Sequence, residues 1–146
     1  MKLETVRYEP AHLKALLAHP SQALVRKYVK DEDCEALNRH EYAYTVLRDG
    51  EPIACIGLIR YWEGRYEAWA FLIPGHRDVF VYIHNQVRRF LKLSNIRRIE
   101  ATVDMGFKNG HKWALMLGFH VEAPLLQGFG PTGNDHRLYV FLREGK

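Results

Sequence analysis

Residues 97–119 read Arg97-Arg-Ile-Glu-Ala-Thr-Val-Asp-Met-Gly-Phe-Lys-Asn-Gly-His-Lys-Trp-Ala-Leu-Met-Leu-Gly-Phe119. Ile99, Ala101 and Val103 alternate, which predicts a strand over Arg97–Val103 with one apolar face. After Gly106 the period lengthens. Phe107–Leu117 then reads as a short amphipathic helix, stopped by Gly118 as a left-handed residue. Upstream, Phe80, Ile83, Val87, Phe90 and Leu91 recur at spacings of three and four, predicting a long helix with Asp78 as its N-cap. A strand Tyr66–Leu72 precedes that helix. Together these segments form a strand–helix–strand crossover, which is right-handed in nearly all known sheets.

Working outward, Ala43–Arg48 and Pro52–Tyr61 are two strand-like runs joined through Asp49-Gly50, a strong hairpin signal. The turn Trp62-Glu-Gly-Arg65 leads on to Tyr66–Leu72, so three antiparallel strands form a meander. Before them, residues 3–8 read as a strand. Pro10 opens a helix with Leu13, Leu16 and Leu17 on its buried face, and Asp31-Glu-Asp33 opens a second, ending near Asn38. After Gly118, Val121–Gln127 and His136–Arg143 form a last hairpin. The expected order is β-α-α-β-β-β-α-β-α-β-β: one α+β domain spanning residues 1–146, with a mixed, mostly antiparallel sheet and helices on both faces.

With 146 residues, the chain has the length of one domain. No apolar run approaches the roughly 20 residues of a membrane span, and the N-terminus lacks a secretory h-region. Cys34 and Cys55 are too few for a disulfide framework. These features predict a soluble protein of the reduced cytoplasm. Net charge is +4, with Arg88, Arg89, Lys92, Arg97 and Arg98 clustered. Such cations gather at helix C-termini, where the dipole favours them, and no aromatic interleaving supports nucleic acid as the partner. None of the eight histidines has metal-ligand spacing, so no metal is expected.

The element order and the segment ending Leu117-Gly-Phe119 resemble the GCN5-related N-acetyltransferase (GNAT) fold. Gly110-His-Lys-Trp-Ala-Leu-Met-Leu-Gly-Phe119, Gly130-Pro-Thr-Gly-Asn-Asp-His-Arg-Leu-Tyr139 and Tyr44–Gly57 look most like small GNAT-like proteins of tailed phages and prophages. The resemblance implies acetyl-CoA as cosubstrate and an amine, on a small molecule or a protein, as acceptor. In the family, a glycine-rich loop before the long helix offers backbone N–H groups to the CoA pyrophosphate. Here that loop is Pro74-Gly-His-Arg-Asp-Val-Phe-Val81, with one glycine and a His-Arg pair. A family tyrosine four residues before the glycine of Leu-Gly-Phe is replaced by Ala114, and the frequent asparagine of that helix by Phe107, with Asn109 nearby.

The residues implied for the reaction follow. Acetyl transfer needs a base for the amine, an oxyanion donor and an acid for the sulfur. Glu67 is the base candidate, its alternative being a surface pair with an arginine. The N–H of Phe71 or Leu72 would meet the oxyanion, and Tyr139 or Tyr82 would supply the acid. Ile73, Arg77, Asp78 and Val79 would surround the phosphates. Asn109 and Trp113 would border the donor, although Trp69 and Trp113 also suit core packing. Glu100 and Asp104 share a strand face and would draw a cationic amine or simply face water. The expected function is thus acetyl-CoA-dependent N-acetylation. The alternative is an inactive GNAT-fold protein, associated with the virion or with a host partner.

Overall fold

The computed structural model describes residues 2–143. In chain order the elements are β1 (Leu3–Arg7), α1 (Pro10–Leu17), two 3₁₀ turns (Pro20–Gln22 and Val25–Lys27), α2 (Asp31–Leu37), β2 (Ala43–Arg48) and β3 (Glu51–Trp62). There follow β4 (Arg65–Leu72), α3 (Arg77–Leu93), β5 (Arg98–Asp104), α4 (Lys108–Met116), β6 (His120–Leu126) and β7 (His136–Leu142). The seven strands form one sheet in the order β1-β2-β3-β4-β5-β7-β6, with the β4–β5 pair parallel. The expected α+β order is therefore present, the two 3₁₀ turns being additional.

The β2–β3 turn is a two-residue loop in which Asp49 (φ 50°) and Gly50 (φ 87°) are both left-handed. That geometry matches the twist of paired strands, which is why Asp-Gly reads so clearly. At the opposite end of the chain, Pro124 falls in β6 at the sheet edge, where a missing N–H is tolerated.

The residues group into two compact units. The first comprises residues 1–59 and 68–83, the second residues 60–67 and 84–146. In the first, Leu13, Leu16 and Leu17 of α1 are buried as expected, with Tyr8, Val46, Ala54, Cys55 and Ile83. Tyr8 donates its hydroxyl to the Cys34 carbonyl over 2.8 Å, so the end of β1 is tied to α2. Both cysteine thiols are buried, and burial pushes Cys55 up to about 12, which makes it inert as expected. In the second unit Tyr66, Ile99, Phe119, Tyr139 and Val140 are buried.

Two expectations are corrected. Asp78 is not the N-cap of α3: Phe80 N donates to the His76 carbonyl, so the helix starts at Arg77 and Asp78 lies within its first turn. Its carboxylate turns instead to Arg48, 3.7 Å away. Nor does Glu100 face water. It is buried, and Arg65 Nε and Arg98 Nε reach its Oε2 at 2.6 and 2.7 Å. Arg98 also grips Glu122. A carboxylate so placed must be charge-paired, and the Arg65 hydrogen bond holds Glu100 below the usual carboxylate range.

Candidate active site

In the first unit, the chain leaves β4 through Pro74-Gly75, with Gly75 left-handed at φ 91°, and turns into α3. The N–H groups of Arg77, Asp78 and Val79 precede the first helical hydrogen bond and have no partner within the helix. Val79 is anchored by its buried side chain, while Arg77 is exposed. Arg48, at the end of β2, reaches this helix start. Its Nη1 lies 2.6 Å from His76 Nδ1 and 3.7 Å from Asp78 Oδ1. A guanidinium can only donate, so His76 Nδ1 is the acceptor. Arg48 thereby offsets the Asp78 charge at a helix end already suited to an anion.

β4 supplies a second feature. Ile73 N donates to the Ile53 carbonyl of β3 at 3.0 Å, so that amide is occupied. Backbone groups alternate sides along a strand, which turns the Phe71 N–H toward β3 as well and the Leu72 N–H away from it. Consistently, the Leu72 carbonyl accepts from Gln22 Nε2 at 3.2 Å rather than from β3. Of the two oxyanion candidates, Leu72 is the one whose N–H lies on the edge away from β3. Trp69 packs edge-on against Tyr8, with ring centroids 5.6 Å apart, and its aromatic ring fills the space beside Gly57. Tyr82 shares a 3.0 Å hydrogen bond with Thr5.

In the second unit, β4 and β5 are in parallel register at Arg65↔Arg98, Tyr66↔Ile99 and Glu67↔Glu100. Glu67 is held by a tyrosine, not an arginine: Tyr61 donates its hydroxyl to Glu67 Oε1 over 2.5 Å. That bond pushes the Tyr61 hydroxyl up to about 12. The Arg65 guanidinium lies over the Tyr61 ring at 4.5 Å and over Trp62 at 4.7 Å, bracing the donor.

Tyr139 is buried on β7, its hydroxyl 2.7 Å from His111 Nδ1 of α4. His111 Nε2 lies 2.9 Å from the Asp104 carbonyl, which only accepts, so Nε2 carries a proton. In the neutral ring Nδ1 is then the acceptor, and Tyr139 donates to it. Asp104 is in turn held by Gly106 N at 2.7 Å and by Asn134, and the Gly106 bond lowers its carboxyl below the usual range. Trp113 donates to His84 Nδ1 at 3.1 Å. Asn109 is exposed at the start of α4, and Ala114 is buried beneath.

Among the sequence-derived candidates, the first unit thus carries Phe71, Leu72, Ile73, Arg77, Asp78 and Val79. The second carries Glu67, Asn109, Trp113 and Tyr139. Arg48, Gln22, Tyr61 and His111 were not foreseen. Only Tyr61 had a usable signal, the Trp62–Arg65 turn that folds its strand back toward Glu67. Among the described residues, no group of three or more His, Cys, Asp or Glu gathers as a metal site, and no helix is long and apolar enough to cross a membrane.

Comparison with solved structures shows what this architecture is. Ard1 from Thermoplasma volcanium superposes with a TM-score of 0.81 at 13% identity, over 98% of this chain and 99% of that one. The fold is that of the GNAT acetyltransferases. A GNAT-family acetyltransferase from Bacillus anthracis aligns with a TM-score of 0.70 at 18% identity, covering 99% of this chain and 97% of its own. A spermidine N-acetyltransferase chimera, from Vibrio cholerae and hSSAT, gives 0.70 at 18%, covering 97% and 96%. By sequence, no protein-family model and no curated protein matches the chain. At such identities the GNAT likeness is one of fold.

Proposed function

We propose that this GNAT-fold protein is an acetyl-CoA-dependent N-acetyltransferase of phage or prophage origin, working in the host cytoplasm on a small-molecule or protein amine. The observation that carries the reading is the start of α3, where three unpartnered N–H groups meet Arg77 and an Arg48-neutralised Asp78. That donor set fits a pyrophosphate: oriented amides and guanidinium groups favour a dianion, and a compensated carboxylate no longer opposes it.

Acetyl-CoA would supply an acyl thioester. Arg77, Val79 N and Asp78 N would bind its phosphates, with Phe71 and Ile73 lining the approach and Asn109 and Trp113 bordering the donor. Leu72 N–H would donate to the carbonyl oxygen as negative charge develops there. Glu67 would take the amine proton on Oε2, because Oε1 is occupied by Tyr61. As the N–C bond forms and the C–S bond breaks, Tyr139 would give its proton to sulfur.

A second reading is favoured by Ala114, which stands buried at the family's tyrosine position. On that reading the fold has lost catalysis and serves as a virion-associated or host-binding module. Calorimetric titration with acetyl-CoA and with CoA separates the two. Micromolar binding that weakens about tenfold in Arg77→Ala supports the transferase. Absence of binding at high micromolar ligand supports the inactive module.

A further inference from the structure

The C-terminal half of α3 borders a cavity of about 570 Å³ that the acyl-transfer reading does not use. Arg88, Arg89, Lys92 and Arg143 line it, and no carboxylate does. Its remaining wall is Leu91, Leu117 and Phe141. Helix-dipole attraction accounts for Lys92 in the last turn of α3. It does not account for Arg143, which follows β7, converging on the same space. Arg143 donates to the Leu91 carbonyl and lies 5.7 Å from the centre of the Phe141 ring, yet its Nε is buried with no acceptor. No carboxylate pairs with the Arg143 guanidinium among the described residues, so its charge, like those of the α3 cations, is left for an anion. Among the described residues, Arg88, Arg89 and Lys92 form no ion pair.

We infer that this cavity binds a nucleoside polyphosphate, its phosphates on the four cations and its flat base against Phe141, Leu117 and Leu91. The volume falls within the small-ligand range of roughly 300–1,000 Å³. The cations converge on one cavity rather than tracking along a stripe, which suits a compact polyanion better than a nucleic-acid strand. The inference does not rest on acetyl transfer.

The test is calorimetric titration of the full chain with ATP and, separately, inorganic tripolyphosphate, with melting curves to show that each variant is folded. The expected result is micromolar ATP binding that weakens with salt and falls about tenfold or more in Arg89→Ala/Lys92→Ala. Arg77→Ala should leave it unchanged. Three results would overturn the assignment. One is no ATP binding at millimolar ligand. Another is tripolyphosphate binding as tightly as ATP, which would leave the apolar wall without a role. The third is ATP binding lost in Arg77→Ala but kept in the double variant, which would place the nucleotide at the start of α3.

Discussion

Tyr61 donates a 2.5 Å hydrogen bond to Glu67 Oε1, and Arg65 lies over the Tyr61 ring while its own guanidinium is bonded to Glu100. The proposed base is thus oriented from one side and presents its second oxygen. Glu67→Gln should lower turnover by about 10²–10³-fold and leave acetyl-CoA affinity within about twofold, since general-base loss acts on the chemical step. Tyr61→Phe, which keeps the ring but not the donor, should reduce kcat by less. Equal turnover in Glu67→Gln would remove this residue from the mechanism.

Arg48 reaches α3 from β2 and balances Asp78. Arg48→Ala should therefore weaken acetyl-CoA binding by roughly five- to tenfold, a loss of about 1–1.4 kcal/mol, and Arg48→Ala/Asp78→Asn should recover part of it. Calorimetry on the single and double variants measures the coupling. Full additivity would mean that Arg48 contributes only its own charge.

Tyr139→Phe leaves His111 Nδ1 facing a ring edge in a buried setting. The expected cost is about 1–2 kcal/mol in urea unfolding, with a fall in kcat. His111→Phe leaves the buried Tyr139 hydroxyl and the Asp104 carbonyl without that partner, so it should cost at least as much stability while also slowing turnover. Unchanged kcat in both variants would assign the pair to structure alone.

Glu100 is buried between Arg65 and Arg98, and those partners hold its carboxyl below the ordinary value. Because the folded value is depressed, its stabilisation is complete above the unfolded carboxyl range near about 4.3 and is lost as pH falls through the folded value. Asp104 and Glu122 are lowered too, and act with the same sign. Glu100→Gln should destabilise the protein by about 1–3 kcal/mol at neutral pH and flatten the acid limb of a melting-temperature profile. An acid limb as steep as in the parent would show that other carboxylates control it.

Gly57 has no room for a side chain: a Cβ there would lie 2.3 Å from the Tyr42 carbonyl oxygen and 2.7 Å from the Trp69 ring. Backbone cannot yield as a flexible side chain can. Gly57→Ala should cost about 2–4 kcal/mol, read as a lower midpoint in urea. A loss under about 0.5 kcal/mol would mean that β3 shifts freely at this point.

Element order was legible in the sequence because it rests on local physics. Period-2 runs, the spacing of Phe80 to Leu91, the Asp49-Gly50 turn and the stop at Gly118 (φ 95°) each act within a few residues of themselves. The backbone amides at the start of α3 were legible too, since a helix end exposes them wherever it forms. Tertiary structure alone decided which side chains meet. Arg48 and His76 are 28 residues apart, as are His111 and Tyr139, and Glu100 meets Arg65 across 35. No periodicity encodes such pairs: each depends on strand register and on how far a long side chain can reach once its backbone is placed. For the same reason Asp78, a good N-cap by residue type, lies inside the first turn with its carboxylate toward Arg48. Four cations drawn from α3 and the end of β7 likewise converge on one cavity only when the chain is folded.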